Sequence, residues 1–293
     1  MPEMTRWRVG LIGPGRLGSA LAVALARCGE AVTIVYGRRR ERAEALARRI
    51  PGCSVAGSAQ AVVDSCELVF LTVPDDAIEP VCSALQWHPG IAAVHCSGAH
   101  GLDVLERARQ AGAWVGGFHP VQTFAGTEAD AERLAGCVFG IEAGEPLRRY
   151  LEELARRLGG HPLTVDGPNR ALYHAAAVFA SNAVVTLAAV AARIWQELGL
   201  PPEEAVRGLA PLMRTTAENI ERLGAVQALT GPVARGDVET VRRHVSALAE
   251  RLPELLGLYR EITRQTVTLA ERQGLDVATA RAILAAVQAA QES

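Results

Sequence analysis

The residues Gly13-Pro14-Gly15-Arg16-Leu17-Gly18 have the types and spacing of a phosphate cradle. The apolar run Val9-Gly10-Leu11-Ile12 leads into them and a helical run follows, which is the strand, G-x-G-x-x-G, helix context of a dinucleotide site. Gly13 permits the tight turn, Gly15 lets a pyrophosphate approach the backbone, and Gly18 lets helix and strand pack closely. The helix N-terminus then faces the phosphates. An acid at the end of the second strand would hold the ribose hydroxyls of NAD, and none is present. Tyr36-Gly37-Arg38-Arg39-Arg40 instead offers guanidinium groups at the place of a 2′-phosphate, so Tyr36, Arg38 and Arg39 predict NADP(H) as cofactor. The competing reading is a solvated basic start to the next helix. Leu71-Thr72-Val73-Pro74-Asp75 and Val94-His95-Cys96-Ser97-Gly98 end the fourth and fifth predicted strands, where a doubly wound sheet has its ligand crevice. Val73 and Pro74 are expected to flank the nicotinamide half, and Ser97 to hydrogen-bond its carboxamide.

These residues need a sheet to hold them. Residues 7 to 166 alternate short β-rich runs with helical stretches, with strands predicted at 8–12, 31–36, 53–55, 68–72, 92–95, 114–117, 138–141 and 163–165. After Asp166-Gly167-Pro168 the strand-like runs cease. The expected fold is α/β: a Rossmann-type, doubly wound, mostly parallel sheet over 1–167, followed by an all-α C-terminal domain over 168–293. One unbroken helix is predicted from about Asn169 to Leu198, with further helices at 203–223, 238–272 and 276–290. The first is apolar around most of its circumference, which predicts a homodimer that buries it through the helical domain.

The chain has 293 residues, 49% hydrophobic and 21% charged, with a formal net charge of −2. That is globular composition without a basic footprint for nucleic acid. All 30 basic residues are arginine, so no Schiff base and no lysine acid can operate. The cysteines at 28, 53, 66, 82, 96 and 137 form neither a CxxC pair nor a metal cluster, and a reducing cytoplasmic setting without metal is expected. Ala175 to Ala192 lacks charge and reaches the length of a membrane span, but its alanine content and its Ser181, Asn182 and Thr186 read better as a buried helix than as a membrane segment.

Taken together, the Gly13 to Gly18 loop, His95-Cys96-Ser97-Gly98-Ala99, Phe118-His119-Pro120-Val121-Gln122, Tyr173-His174-Ala175-Ala176-Ala177 through Ser181-Asn182, and Leu229-Thr230-Gly231-Pro232 through Ala234-Arg235-Gly236-Asp237 resemble one family. It is a family of predicted NADP oxidoreductases with an N-terminal Rossmann-like domain and a C-terminal helical domain of unassigned function. More distantly, the chain is similar to deazaflavin-dependent NADP reductases, pyrroline-5-carboxylate reductase and ketopantoate reductase. Several such relatives carry a lysine and an asparagine one turn apart on the first helix of the second domain, with the lysine as proton donor. Here Val178 stands four residues before Asn182, and no lysine replaces it.

On an unbroken helix His174, Val178, Ser181 and Asn182 share one face, so His174 is expected to be the general acid, with Asn182 and Ser181 orienting the substrate. The alternative is that these are polar residues satisfied inside a dimer core. His119, with Gln122 close by, is the rival proton donor, or shapes a turn. Arg235 is expected either to clamp a substrate carboxylate or to pair with Asp237, which would cap the next helix. The implied activity is hydride transfer between NADP(H) and a small carboxylate-bearing 2-oxo acid or imine, a ketopantoate-like compound among them. A non-catalytic NADP(H)-binding sensor or scaffold, or an NADP reductase linked to a deazaflavin or flavin, stands as the alternative.

Overall fold

The computed structural model describes residues 7–288, and the chain divides into two compact units, Met1–Asn182 and Ala183–Ser293. The first is built on eight strands: β1 (Arg8–Ile12), β2 (Ala31–Tyr36), β3 (Ser54–Val55), β4 (Leu68–Leu71), β5 (Ala92–His95), β6 (Trp114–Pro120), β7 (Val138–Ala143) and β8 (His161–Thr164). Their order is β3-β2-β1-β4-β5-β6-β7-β8, and every pairing is parallel except the antiparallel β6–β7. The chain therefore winds outward in both directions from β1, which leaves a crevice beyond the C-terminal ends of β1 and β4.

Seven α-helices belong to this unit among the described residues: α1 (Arg16–Arg27), α2 (Arg40–Ala47), α3 (Ala59–Val63), α4 (Asp75–Ser83), α5 (Glu106–Gln110), α6 (Leu147–Arg157) and α7 (Arg170–Ala180). The residues of β4 and β5 are all buried, as parallel strands covered on both faces must be. One apolar cluster gathers Leu21 and Leu25 of α1 with Phe70, Phe118, Phe139 and Leu151. The other joins Val62, Val69, Ile78 and Ile91 on the far face. Both layers are needed to hold the strand ends rigidly.

The second unit contains the bulk of α8 (Asn182–Gln196), then α9 (Pro202–Ala228), α10 (Val238–Arg251), α11 (Leu256–Gln273) and α12 (Val277–Gln288). Its core joins Val241, Val245 and Leu248 of α10 to Val267 of α11 and Ile283 of α12.

Three sequence expectations change here. The helix expected from Asn169 to Leu198 is interrupted at Ser181 (φ −123°, ψ −74°), so α7 and α8 are separate elements. The stretch 238–272 is two helices, because Leu252 leaves helical geometry ahead of Pro253, which lacks the amide hydrogen a continuing helix requires. The Gly167-Pro168-Asn169 turn is not where the compact units part, since α7 packs with the sheet and the division falls after Asn182. The helix expected over 276–290 runs from Val277 to Gln288, and 289–290 lie outside the described residues.

Candidate functional site

Gly13 has φ +105°, a left-handed conformation that a side chain would strain, and its amide donates to the Tyr36 carbonyl oxygen at 2.9 Å. A Cβ on Gly18 would collide with the Gly13 carbonyl oxygen and with Thr72 Oγ1. The Thr72 hydroxyl donates to the Gly13 carbonyl oxygen at 2.7 Å, fixing the loop from β4. Gly37 leaves room for the Pro14 ring, which a Cβ would strike at 2.6 Å. Thr72 and Gly37 thus shape a loop whose glycine pattern alone was legible in the sequence.

Beside the loop lies a cleft of about 870 Å³ lined by Gly13, Pro14, Gly15, Tyr36, Arg38, Arg39, Arg42, Val73 and Pro74, with Ala59, Ala77 and Val81 among its apolar walls. Its size suits a nucleotide. Arg40 pairs with Glu44 at 2.8 Å, whereas Arg38 and Arg39 line the cleft with Arg42. Arg42 went unnoticed in the sequence; its signal is the spacing that brings residues three and four apart to one helical face. Arg16 lines a smaller neighbouring cleft of about 400 Å³ with Arg42 and Arg49. Leu17 and Gly18 are absent from both linings, Leu17 packing against the core instead.

Ser97 requires a correction. Its side chain is buried, its hydroxyl donates to Asp75 Oδ2 at 2.8 Å, and the same oxygen accepts from the Ala99 and His100 amides, each at 3.1 Å. The one donor and both lone pairs are occupied, so Ser97 organises the turn after β5 and has no capacity left for a carboxamide.

That turn carries Gly98, over which two imidazoles meet. A Cβ on Gly98 would lie 2.8 Å from His119 Cε1 and Nε2 and 2.8 Å from His174 Cδ2. The ring centroids of His119 and His174 are 6.4 Å apart at 75°, and Tyr173 stands edge-on to His119 at 5.6 Å. His119 Nδ1 and the Tyr173 hydroxyl share a 2.7 Å hydrogen bond. His119 lies inside β6, which extends to Pro120, beyond its expected end at Gly117. Burial, then the neighbouring His174 and Arg170, push the His119 imidazole down to about 4, against a weaker upward pull from Asp75. His119 is therefore neutral near pH 7, with one nitrogen able to donate and the other to accept.

Tyr173 stands in the sequence only within a motif, without a role of its own, and Arg170 was not singled out. Arg170 is fully buried, its Nε donating to Glu142 Oε2 at 2.8 Å and its Nη1 to the Ser97 carbonyl oxygen at 2.9 Å. His95 is fully buried, as its place within a strand suggested, and its Nδ1 accepts the Ser97 amide at 3.2 Å.

The other expected residues of the first unit do not join this group as the sequence placed them. The break at Ser181 removes the uninterrupted helix that was to carry His174 and Asn182 on one face, and Asn182 instead opens α8. Gln122 is exposed, and its side-chain amide donates to the Arg133 carbonyl oxygen at 3.1 Å and accepts the Thr123 amide at 2.9 Å, so it fixes the loop after β6. Arg235 sits in the second unit on a small cleft with Gln227, Gln273 and Asp276. Asp237 caps α10 by accepting from the Thr240 amide at 3.0 Å, the helix-capping role foreseen for it.

Residues 3–120 match the Rossmann-like domain and residues 137–266 match the Domain of unknown function (DUF2520). The chain thus carries a Rossmann-like domain followed by a domain of that type. Among curated proteins, no sequence matches it significantly. Among solved structures it is similar to protein TM1727 from Thermotoga maritima, at 28% identity over 90% of this chain and 99% of that one (TM-score 0.72). It is also similar to a candidate NADP oxidoreductase, BF3122 from Bacteroides fragilis, at 26% identity over 89% and 98% (TM-score 0.68). The reductive aminase from Aspergillus terreus, solved with NADPH and ethyl-5-oxohexanoate, shares the fold at 15% identity over 98% and 94% (TM-score 0.61). The fold is that of NADP-dependent oxidoreductases.

Proposed function

We propose that the protein is an NADP(H)-dependent oxidoreductase that transfers hydride to or from a small substrate carrying a C=N or C=O bond. One observation carries the reading: two imidazoles, His119 and His174, converge over the side-chain-free Gly98 at the C-terminal ends of β5 and β6. In a doubly wound sheet this is the rim where ligands bind. The neighbouring strand ends carry the glycine loop and the arginine-lined cleft.

NADP(H) fits the chain's own residues: Gly13 and Gly15 present backbone to the pyrophosphate, and Arg38, Arg39 and Arg42 supply guanidinium groups to a 2′-phosphate. The bound cofactor supplies or accepts the hydride. A reduced C=N or C=O bond needs a proton on its nitrogen or oxygen, and without lysine the imidazoles are the groups to deliver it. Imine substrates are favoured by the shared fold of the reductive aminase, of an imine reductase from Pseudomonas sp. and of a pyrroline-5-carboxylate reductase from Streptococcus pyogenes.

The test is NADPH oxidation with a panel of cyclic imines, ketone–amine mixtures and 2-oxo acids. The wild-type chain should turn over at least one of them. H119Q and H174Q should each retain NADPH affinity while one of them loses about 100-fold or more in turnover, the range expected of a general acid. Unchanged turnover in both would remove the imidazoles from the reaction.

We further propose a homodimer formed through the helices around α7 to α9. The support is apolar exposure in the single chain: Leu172 and Phe179 of α7 are each 76% exposed, Val185 of α8 70% and Leu212 of α9 65%. The stretch 167–196 is long and apolar enough to cross a membrane by length and composition, and a single chain leaves nearly all of it uncovered. A second copy would remove that surface from water.

A further inference from the structure

Arg170 is the largest fully buried side chain of the described residues, and the proposed hydride transfer gives it no task. It is the first residue of α7, and Tyr173 and His174 follow at the spacing that puts all three on one helical face. Each of the three meets the sheet where a glycine leaves space. A Cβ on Gly117 would collide with Arg170 Nη2, one on Gly140 with the Tyr173 hydroxyl, and one on Gly98 with His174 Cδ2. Side chains at those three places would lift α7 off the strand ends.

Of these three side chains only Arg170 carries a permanent charge and is fully enclosed. Its fork reaches the Glu142 carboxylate on β7 and the Ser97 carbonyl after β5, while its Nη2 lies against β6 two residues before His119. We propose that Arg170 is the positioning residue of this site, tying the first turn of α7 to the ends of β5 and β7 so that Tyr173 and His174 stand in fixed register against His119.

The same placement acts electrostatically. His119 faces Tyr173, His174 and Arg170 from α7, Asp75 at the start of α4, and His95 on β5, with Glu142 of β7 balancing the guanidinium. The cations among these oppose a charge on His119, and Asp75 favours it. Arg170 therefore contributes to keeping His119 uncharged at the pH where it must hold and deliver one proton.

This assignment rests on reading His119 and His174 as the reacting groups, yet its test requires no turnover. A chain inactive on every substrate would overturn that reading and leave the positioning result unaffected. Histidine and tyrosine side chains are labelled for NMR in the full chain, and the His119 titration and the ring-to-ring NOEs between His119 and Tyr173 are followed. In the wild type His119 should titrate near pH 4 with the NOEs present. R170Q should raise that midpoint and weaken the NOEs, whereas R170K, which keeps the charge, should restore most of the midpoint. Should R170Q fail to fold because Glu142 is left half-buried and unpaired, R170Q/E142Q removes both charges and should still weaken the NOEs. A wild-type midpoint near 6.5 overturns the proposal. So does a folded R170Q, or R170Q/E142Q in its place, that keeps both midpoint and NOEs, because a merely stabilising arginine would change the melting temperature alone.

Discussion

Arg38, Arg39 and Arg40 are all exposed, yet only the first two line the cleft beside the glycine loop, because Arg40 is drawn along its helix to Glu44. A free guanidinium can form charge-assisted bonds with a phosphate; one already paired must first give up its partner. The expected outcome is that R38A/R39A weakens NADP binding about 100-fold or more while R40A changes it little, since hydrogen bonds to charged groups contribute about 1.5–3 kcal/mol each. NAD affinity should hardly move in either variant. Titration of both dinucleotides against the three proteins checks this. The sequence showed three adjacent arginines, but which of them reaches the cleft depends on the direction of the first turn of α2. Ser97 teaches the converse: its type and position suited a carboxamide, and only its neighbours Asp75, Ala99 and His100 reveal that its bonding capacity is already used.

At the scale of elements, α7 is held by shape as well as by charge. Gly140 on β7 gives way to the Tyr173 hydroxyl, so G140A must displace either the ring or the strand. A methyl group inserted into a closely packed contact costs about 1–3 kcal/mol. Gly144, just after the same strand, has open space around it, so G144A serves as the control and should be near neutral. Denaturant unfolding of the two variants should show that difference. The sequence located the strands of this sheet closely because buried parallel strands leave continuous apolar runs. It overran the helices at Ser181 and Leu252, where the apolar periodicity continues through a backbone break; at Leu252 the following Pro253 carried the signal, whereas at Ser181 no proline marks it. The extension of β6 to Pro120 escaped notice because a proline normally signals the end of a strand, whereas here it pairs with Phe139 on the antiparallel neighbour β7.

For the whole molecule, acid should be destabilising earlier than carboxylate titration alone would make it. Burial, reinforced by Arg170, pushes His95 down to about 3 and His119 to about 4, whereas an unfolded chain protonates both near 6.5. Below pH 6.5 the unfolded state binds protons that the native state refuses, so stability falls as pH falls. Each histidine contributes a slope of about 1.4 kcal/mol per pH unit, which persists until its native midpoint is reached. Denaturant unfolding between pH 7 and 5 should show this fall, and H119Q should flatten it. Assembly is the second property at this scale. Light scattering should give the mass of two chains, and L172E/F179E should reduce it to one; a monomeric wild type would remove the dimer and leave the exposed apolar stretch to another partner.

The sequence by itself determined the dinucleotide loop, the alternation that makes a doubly wound sheet, and the exclusion of lysine chemistry, because each depends on residue type at short range or on composition. It also put His119 and His174 forward as rivals. Only the tertiary structure made them neighbours, since residues so far apart in the chain meet where β6 and α7 come together over Gly98. The same long-range packing brought Tyr173 to His119 and enclosed Arg170 among Ser97, Gly117 and Glu142. A buried arginine carries no local signature, because what encloses it is a set of distant residues, here including the Glu142 carboxylate that takes its Nε and the Ser97 carbonyl that takes its Nη1.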